Sequence, residues 1–361
     1  MSSVNIAIDI SSLSGDFSGI PRYITELVKA LGGLHAPEKF YALARCRKAE
    51  VSDISNMETI AADLPFWLTL FVPYTLLRKH CSLVHFPYPT LPPWLPCPSI
   101  ITLHDLAFIR NPDWFTDDML DNLKNSWLPA IQRANHILCD SEFTAHEAIE
   151  LLGVKADKIT VAYLGSFYKG QRENETKAAH PNDNHPYVLA VGTIQPRKNY
   201  RRLIEAFAAA SKQLSGIDLC IVGSQGWKAD EIPDLIQQSH TGDRVKLIGH
   251  VTDEALVQWY RNATAFAMVS QYEGFGLPLL EAFTLGIPSI ASNNSSLAEV
   301  ARDAALLVDP MDRDSIAAGL VAICKTTDLR KTLEAKGLAR AQEFSWERCA
   351  RETLAAYRKL S

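Results

Sequence analysis

Two acids eight positions apart, Glu273 and Glu281, and two adjacent cations, Arg197 and Lys198, are the side chains in this 361-residue sequence whose types and settings could do chemistry together. Glu273 opens Glu273-Gly274-Phe275-Gly276-Leu277-Pro278-Leu279-Leu280-Glu281, where the apolar run Ala265 to Val269 gives way to a glycine loop and then to a helix. Gly274 and Gly276 let the backbone come close to a ligand. Pro278 suits the first helical position, where its missing N–H costs nothing. Glu281 is expected in the first turn, where free N–H groups and the dipole keep a carboxylate ionised. Glu273 and Glu281 would then border one pocket. The plain alternative, a solvated loop acid and a dipole-matching acid, leaves the glycines and the strand end unexplained.

Arg197 and Lys198 close the loop Gly192-Thr193-Ile194-Gln195-Pro196-Arg197-Lys198, which follows the strand Tyr187 to Val191. The next helix repeats Tyr200, Leu203, Ile204 and Phe207 at i, i+3, i+4 and i+7, with Asn199 as its N-cap. Two cations ahead of a helix N-terminus, at the carboxyl end of a strand, suit a di- or triphosphate, since free N–H groups, dipole and both side chains act on one anion. Taken alone, the loop is equally compatible with a solvated charged turn.

The elements that must position these groups are short Val, Ile and Leu runs alternating with longer helical patterns, the signature of an α/β fold whose parallel sheets are covered on both faces. Strands are expected at Asn5 to Ile10, Phe40 to Ala44, Leu83 to Phe86, Ser99 to His104, His136 to Cys139 and Ile159 to Ala162. A second set follows at Tyr187 to Val191, Asp218 to Val222, Val245 to Ile248, Ala265 to Val269, Ser289 to Ala291 and Ala305 to Val308. The polar stretch 169–186 has the composition of a linker. It divides residues 1–168 from residues 187–344, giving two successive βα halves. Two such sheets facing one another would bind ligands in the cleft between them.

Thirty-six Lys and Arg against 41 Asp and Glu give a net charge of −5, without the positive excess that binding a nucleic-acid backbone requires. The seven cysteines are scattered and form no CxxC pair, which suits a reducing cytosol. Met1-Ser2-Ser3 leads directly into a strand and not into a signal peptide, so a cytoplasmic protein is expected. The apolar window from Leu64 to Leu77 holds two prolines and is shorter than the roughly 20 residues of a bilayer span. Within it, Phe66 to Phe71 reads as a core helix of the first domain, with contact at a bilayer surface as the rival reading. Asp312-Arg313-Asp314 is the one Asp-x-Asp, and it opens a helix, so capping accounts for it and no metal site is expected. G-x-x-x-x-G-K-[ST], a G-x-G-x-x-G after the first strand and H-E-x-x-H are all absent, which removes the usual signatures of kinase, nicotinamide dehydrogenase and zinc hydrolase.

Gly192 to Asn199 followed by Glu273 to Glu281 resembles the retaining GT-B glycosyltransferases of family 4, which use nucleotide sugars and include many bacterial mannosyltransferases. Ile248-Gly249-His250-Val251-Thr252-Asp253-Glu254 resembles the family's base-binding strand and turn. Phe344-Ser345-Trp346-Glu347 resembles the start of its last helix, here 345–361, which crosses back to the first domain. Ser14-Gly15-Asp16-Phe17-Ser18-Gly19-Ile20-Pro21 stands where the family has a glycine loop against the donor phosphates, although Pro21 replaces a glycine found in many relatives. Thr102-Leu103-His104-Asp105 resembles the His-Asp pair near the transferred sugar. The resemblance implies a GT-B fold of two Rossmann-like domains, with the acceptor on the first and the donor on the second. It implies Arg197, Lys198 and Gly19 at the phosphates, Val251 at the base and Glu281 at the ribose. Glu273 and the backbone of Gly274, Phe275, Gly276 and Leu277 would hold the sugar, with His104 beside it.

The expected activity is metal-independent transfer, with retention, of mannose from GDP-mannose to a hydroxyl of a glycan or lipid-linked saccharide. The enzyme would be cytoplasmic, with a peripheral contact at the inner face of the membrane. A UDP-sugar donor and a non-catalytic sugar-nucleotide sensor are the alternatives. A retaining glycoside hydrolase would need two carboxylates about 5 Å apart and has no use for the anion site at Arg197 and Lys198.

Overall fold

A computed structural model of the chain describes residues 4–14, 19–46, 54, 56–168, 181–182, 185–239 and 241–361. The described strands are all parallel and fall into two sheets. In the first are β1 (Asn5–Asp9), β2 (Lys39–Ala44), β3 (Met57–Ala61), β4 (Leu83–Phe86), β5 (Ser99–Leu103), β6 (His136–Cys139) and β7 (Ile159–Val161), in the order β3-β2-β1-β4-β5-β6-β7. The second holds β8 (Tyr187–Val191), β9 (Asp218–Val222), β10 (Val245–Gly249), β11 (Ala265–Met268), β12 (Ser289–Ser292) and β13 (Leu306–Val308), in the order β10-β9-β8-β11-β12-β13. β4, β5, β6, β9 and β11 are buried along their whole length, as strands covered on both faces must be.

β3 is the strand that the apolar pattern did not reveal. It lies at the sheet edge, none of its residues is fully buried, and its Glu58 holds Lys39 at 3.2 Å and Lys79 at 2.6 Å. An edge strand needs little apolar character, because one side pairs and the other meets solvent.

The chain forms two compact units, one of Met1–Ile109, Asp117–Gly165 and Ser345–Ser361, the other of Arg110–Thr116 and Ser166–Phe344. In the first unit, Ser345 caps the helix Trp346–Leu360 by accepting from Arg348 N, and that helix packs on the helix Gly19–Gly33. Tyr357 Oη on the capped helix lies 2.7 Å from His85 Nδ1; His85 Nε2 lies 2.8 Å from Thr102 Oγ1, which meets Tyr23 Oη at 3.0 Å. Burial, helped by the charge of His104, pushes the His85 imidazole down to about 3, so this buried relay is neutral. Arg358 adds a bidentate pair with Glu38 at 2.7 and 3.1 Å.

The segment Arg110–Thr116, which the sequence reading leaves in the first half, belongs to the second unit because its half-buried rings pack there. Phe115 stacks on Trp227 with centroids 6.1 Å apart, Trp114 meets Tyr272 edge-on at 6.4 Å, and Trp227 Nε1 donates to the Trp114 carbonyl at 2.7 Å.

The window around Phe66 is core in part only. Trp67 is buried and stacks on Phe71 at 4.7 Å, whereas Phe66, Leu70, Tyr74 and Leu77 are exposed on the stretch Trp67–Phe71 and Val72–Arg78. Among the described residues no helix is long and apolar enough to cross a membrane.

Candidate active site

β8 and β11 are neighbours in the second sheet, and the chain leaves them toward opposite sides, β8 to β9 and β11 to β12. At such a switch point the two loops diverge beyond the carboxyl ends and leave a crevice. The β8 loop carries Arg197 and Lys198, the β11 loop carries Glu273, and Gln271 N donates to the Arg197 carbonyl at 2.8 Å, tying the two together.

On the β8 side, Pro196–Lys198 forms a single tight turn and Asn199 follows in the left-handed region, φ 61°, which asparagine tolerates better than most residues. Asn199 precedes the helix Tyr200–Ala209 as expected, but its side chain does not cap it. Asn199 Nδ2 instead donates to the Val269 and Pro310 carbonyls at 2.9 and 2.8 Å. Its Oδ1 accepts from Arg202 at 3.1 Å and Gln271 at 3.2 Å. Four bonds thus fix the turn that presents the two cations.

Serines and an asparagine after β12 fix the β11 loop. Asn294 Nδ2 donates to the Gln271 carbonyl at 2.9 Å, Ser296 Oγ donates to the Glu273 carbonyl at 2.8 Å, and Glu273 N donates to Ser295 Oγ at 3.3 Å. Gly276 then turns the chain at φ 104°, and a Cβ there would come within 2.6 Å of Leu297 Cδ2. Only glycine meets both conditions.

These two loops bring Arg197, Lys198 and Glu273 together. Arg197 Nη1 donates to Glu273 Oε2 at 2.9 Å and Lys198 Nζ to Oε1 at 2.7 Å. Burial alone would raise the Glu273 carboxyl, but the Lys198 and Arg197 charges outweigh it and leave the group below the usual carboxylate value. The cluster therefore carries two cations on one buried anion, with one positive charge in excess.

Glu281 departs from its expected setting. The helix is Leu277–Thr284, Pro278 is its second residue, and Glu281 lies beyond the first turn, out of reach of the free N–H groups. What holds this buried carboxylate is Tyr260, whose Oη donates to Oε2 at 2.9 Å. Phe275 is also buried, edge-on to Phe344 at 5.8 Å, so its side chain belongs to the core. Leu277 is half-buried at the helix start, as is Val251, just past the end of the edge strand β10. Sequence reasoning missed Tyr260 and the Asn294-Ser295-Ser296 anchor; the one available signal was the small polar run Ser292 to Ser296 at a strand end.

His104 sits in the first unit, one residue past β5. Its Nδ1 lies 2.6 Å from Asp140 Oδ2 and its Nε2 lies 2.9 Å from the Pro87 carbonyl oxygen. A carboxylate and a carbonyl only accept, so both ring nitrogens must donate and the imidazole is cationic. Burial acts against that charge, but Asp140, the Pro87 carbonyl and Asp105 overcome it and raise the group above its ordinary 6.5. The stability so gained is complete below 6.5 and is lost as pH rises through the raised value. Unfolding temperatures of the chain and of His104→Gln are therefore expected to differ most below the ordinary 6.5 and to converge as pH rises through the raised folded value; a constant difference would remove the charged assignment. Gly19 begins the helix Gly19–Gly33, while Gly15, Asp16, Phe17 and Ser18 lie outside the described residues.

Residues 17–165 match Glycosyltransferase Family 4, and residues 171–340 match Glycosyl transferases group 1. Over 368 aligned residues, spanning 95% of this chain and 96% of the relative, it is 31% identical to the O-antigen chain mannosyltransferase B of Escherichia coli. The chain is a family 4 glycosyltransferase. In solved structures this glycosyltransferase shares its GT-B fold with sucrose-phosphate synthase from Thermosynechococcus elongatus (TM-score 0.75, 22% identity, 99% of each chain covered). It is likewise similar to HepE of Anabaena in complex with UDP and glucose (TM-score 0.75, 18% identity, 99% of this chain and 100% of that one).

Proposed function

We propose that this glycosyltransferase moves mannose from GDP-mannose to a hydroxyl of a glycan or lipid-linked saccharide, with retention at the anomeric carbon and without a metal ion. The observation that carries the reading is the pair of cations held on Glu273 at the β8/β11 switch point, in a chain 31% identical to a mannosyltransferase over nearly its whole length. The excess positive charge suits the diphosphate, whose negative charge grows as the bond to the sugar breaks, so Arg197 and Lys198 favour the transition state over the ground state. Glu281, held by Tyr260, accepts from the ribose hydroxyls. Glu273 and the N–H groups after it hold the sugar.

In this reading the bond between the anomeric carbon and the phosphate oxygen breaks, and the acceptor oxygen bonds to that carbon on the same face. The acceptor's proton passes to the departing phosphate oxygen, which leaves as GDP. Glu273 is a poor candidate for a nucleophile, because two cations engage its oxygens and lower its basicity. The Asp312 and Asp314 pair is taken up by the helix start, with Asp312 accepting from Asp314 N at 2.9 Å, which supports a role in capping. A peripheral membrane contact, if the acceptor is lipid-linked, would use the exposed Phe66, Leu70, Tyr74 and Leu77, and not Trp67.

The test is a panel of GDP- and UDP-sugars with donor consumption followed in excess EDTA. GDP-mannose is expected to be consumed fastest, EDTA to leave the rate unchanged, and proton NMR to show an α-linked product. Consumption of UDP-sugars alone would transfer the reading to the UDP-dependent alternative. A β-linked product would remove retention, and loss of activity restored by Mn²⁺ would remove metal independence.

A further inference from the structure

Beside the turn that carries Arg197 and Lys198, the second unit has a cavity of about 180 Å³. Its walls include Ile194, Gln195, Arg202, Lys228, Ile232 and Gln271, whereas Arg197, Lys198, Glu273 and Glu281 do not line it. The expectation that the two acids border one pocket therefore does not extend to this cavity, which has a chemistry of its own. Its floor is apolar, with Ile194 and Ile232 buried. Arg201 at its mouth is neutralised by a bidentate pair with Glu231. Arg202 and Lys228 have no ion-pair partner among the described residues. Among the described residues their hydrogen-bond partners are neutral oxygens, Asn199 Oδ1 at 3.1 Å and the Asp113 carbonyl at 2.7 Å.

Two uncompensated cations and the amides of Gln195 and Gln271 around an apolar floor form the partner set of a phosphate monoester carried on a hydroxylated body. The volume of about 180 Å³ leaves room for a compact sugar-sized body. We propose that this cavity binds a sugar phosphate and that its occupant weakens the grip of the neighbouring turn on a nucleoside diphosphate.

The coupling runs through Asn199. Arg202 and Gln271, both walls of the cavity, are the two donors to Asn199 Oδ1, and Asn199 directly follows Lys198. A phosphate that draws Arg202 toward itself removes one of the four bonds fixing the turn. Its negative charge also offsets the field of Arg197 and Lys198. Both effects have the same sign, and by linkage the diphosphate must weaken sugar-phosphate binding by the same factor. This coupling rests on reading Arg197 and Lys198 as the diphosphate cations; the binding site itself does not.

Calorimetric titration of the full chain with mannose 6-phosphate, mannose and inorganic phosphate tests the proposal. Mannose 6-phosphate is expected to bind, mannose to show no heat, and inorganic phosphate to bind at least tenfold more weakly. Arg202→Gln and Lys228→Gln should each lose about tenfold in affinity while melting as the parent does, and Lys198→Ala should bind mannose 6-phosphate within twofold of the parent. Saturating mannose 6-phosphate should weaken GDP binding about fivefold, the low end of such couplings. The site is overturned if mannose 6-phosphate does not bind, or if Lys198→Ala abolishes binding while Arg202→Gln and Lys228→Gln retain it. Inorganic phosphate binding equally well would overturn the sugar-phosphate class. Unchanged GDP affinity would overturn the coupling, whereas absence of GDP binding to the parent chain would overturn the donor reading instead.

Discussion

Lys198→Ala is expected to lower kcat/KM for the nucleotide sugar by about 10²- to 10³-fold, with most of the loss in kcat. Lys198 Nζ lies 2.7 Å from Glu273 and side by side with Arg197, so its removal leaves one cation facing one buried carboxylate and cancels the positive excess at the cluster. The ground-state donor still has Arg197 and the loop N–H groups. The transition state, in which charge moves onto the diphosphate, loses the group that responds to that movement, so turnover falls further than affinity. Steady-state kinetics of donor consumption separate the two, and kinetics equal to those of the parent would remove Lys198 from the donor site.

Glu273→Ala is expected to cost about 3 kcal/mol of stability, the lower end for breaking a buried ion pair, because it removes the buried carboxylate that both Arg197 and Lys198 engage. For a unit of this size that corresponds to a fall of about 6–12 °C in Tm. The same substitution makes the cluster a stronger anion site. GDP should therefore raise the Tm of Glu273→Ala by more than it raises that of the parent, since the diphosphate replaces the missing carboxylate in the folded state only. The pH dependence follows from the lowered Glu273 carboxyl. The parent's advantage is complete above the ordinary 4.5 and is lost as pH falls through the lower folded value, so the two proteins should converge in acid. Equal Tm values at neutral pH, or equal stabilisation by GDP, would remove the view of Glu273 as a buried counter-ion.

How far the sequence carried this reading depended on burial. β8, β9 and β11 were legible because strands covered on both faces must be apolar throughout, and the loops after them because glycines and paired charges at strand ends have few other uses. β3 was hidden because an edge strand with Glu58 in it has no such constraint. Asn199 stands at the helix start, as its capping preference predicts, but its side chain bonds elsewhere. Its capping preference is a local property, whereas its bonds to Val269 and Pro310 join residues 70 and 111 positions away and leave no mark on the neighbouring sequence. The Tyr260 bond to Glu281, across 21 residues and two elements, is invisible for the same cause, as are the ring contacts of Trp114 and Phe115 with Tyr272 and Trp227.

The helix Trp346–Leu360 has a consequence for the order in which this chain can mature on the ribosome. Its Tyr357 ends the buried relay through His85, Thr102 and Tyr23, so the first unit keeps part of its interior open until residues that follow the whole second unit have been made. At synthesis rates of about 5–20 residues per second, the stretch from Gly165 to Leu360 takes roughly 10–40 s. For that interval the face of the helix Gly19–Gly33 that receives the late helix stays exposed to water and to chaperones, while the second unit can close as soon as Phe344 emerges. Of the two units, the one whose translation begins earlier is thus the later to be finished.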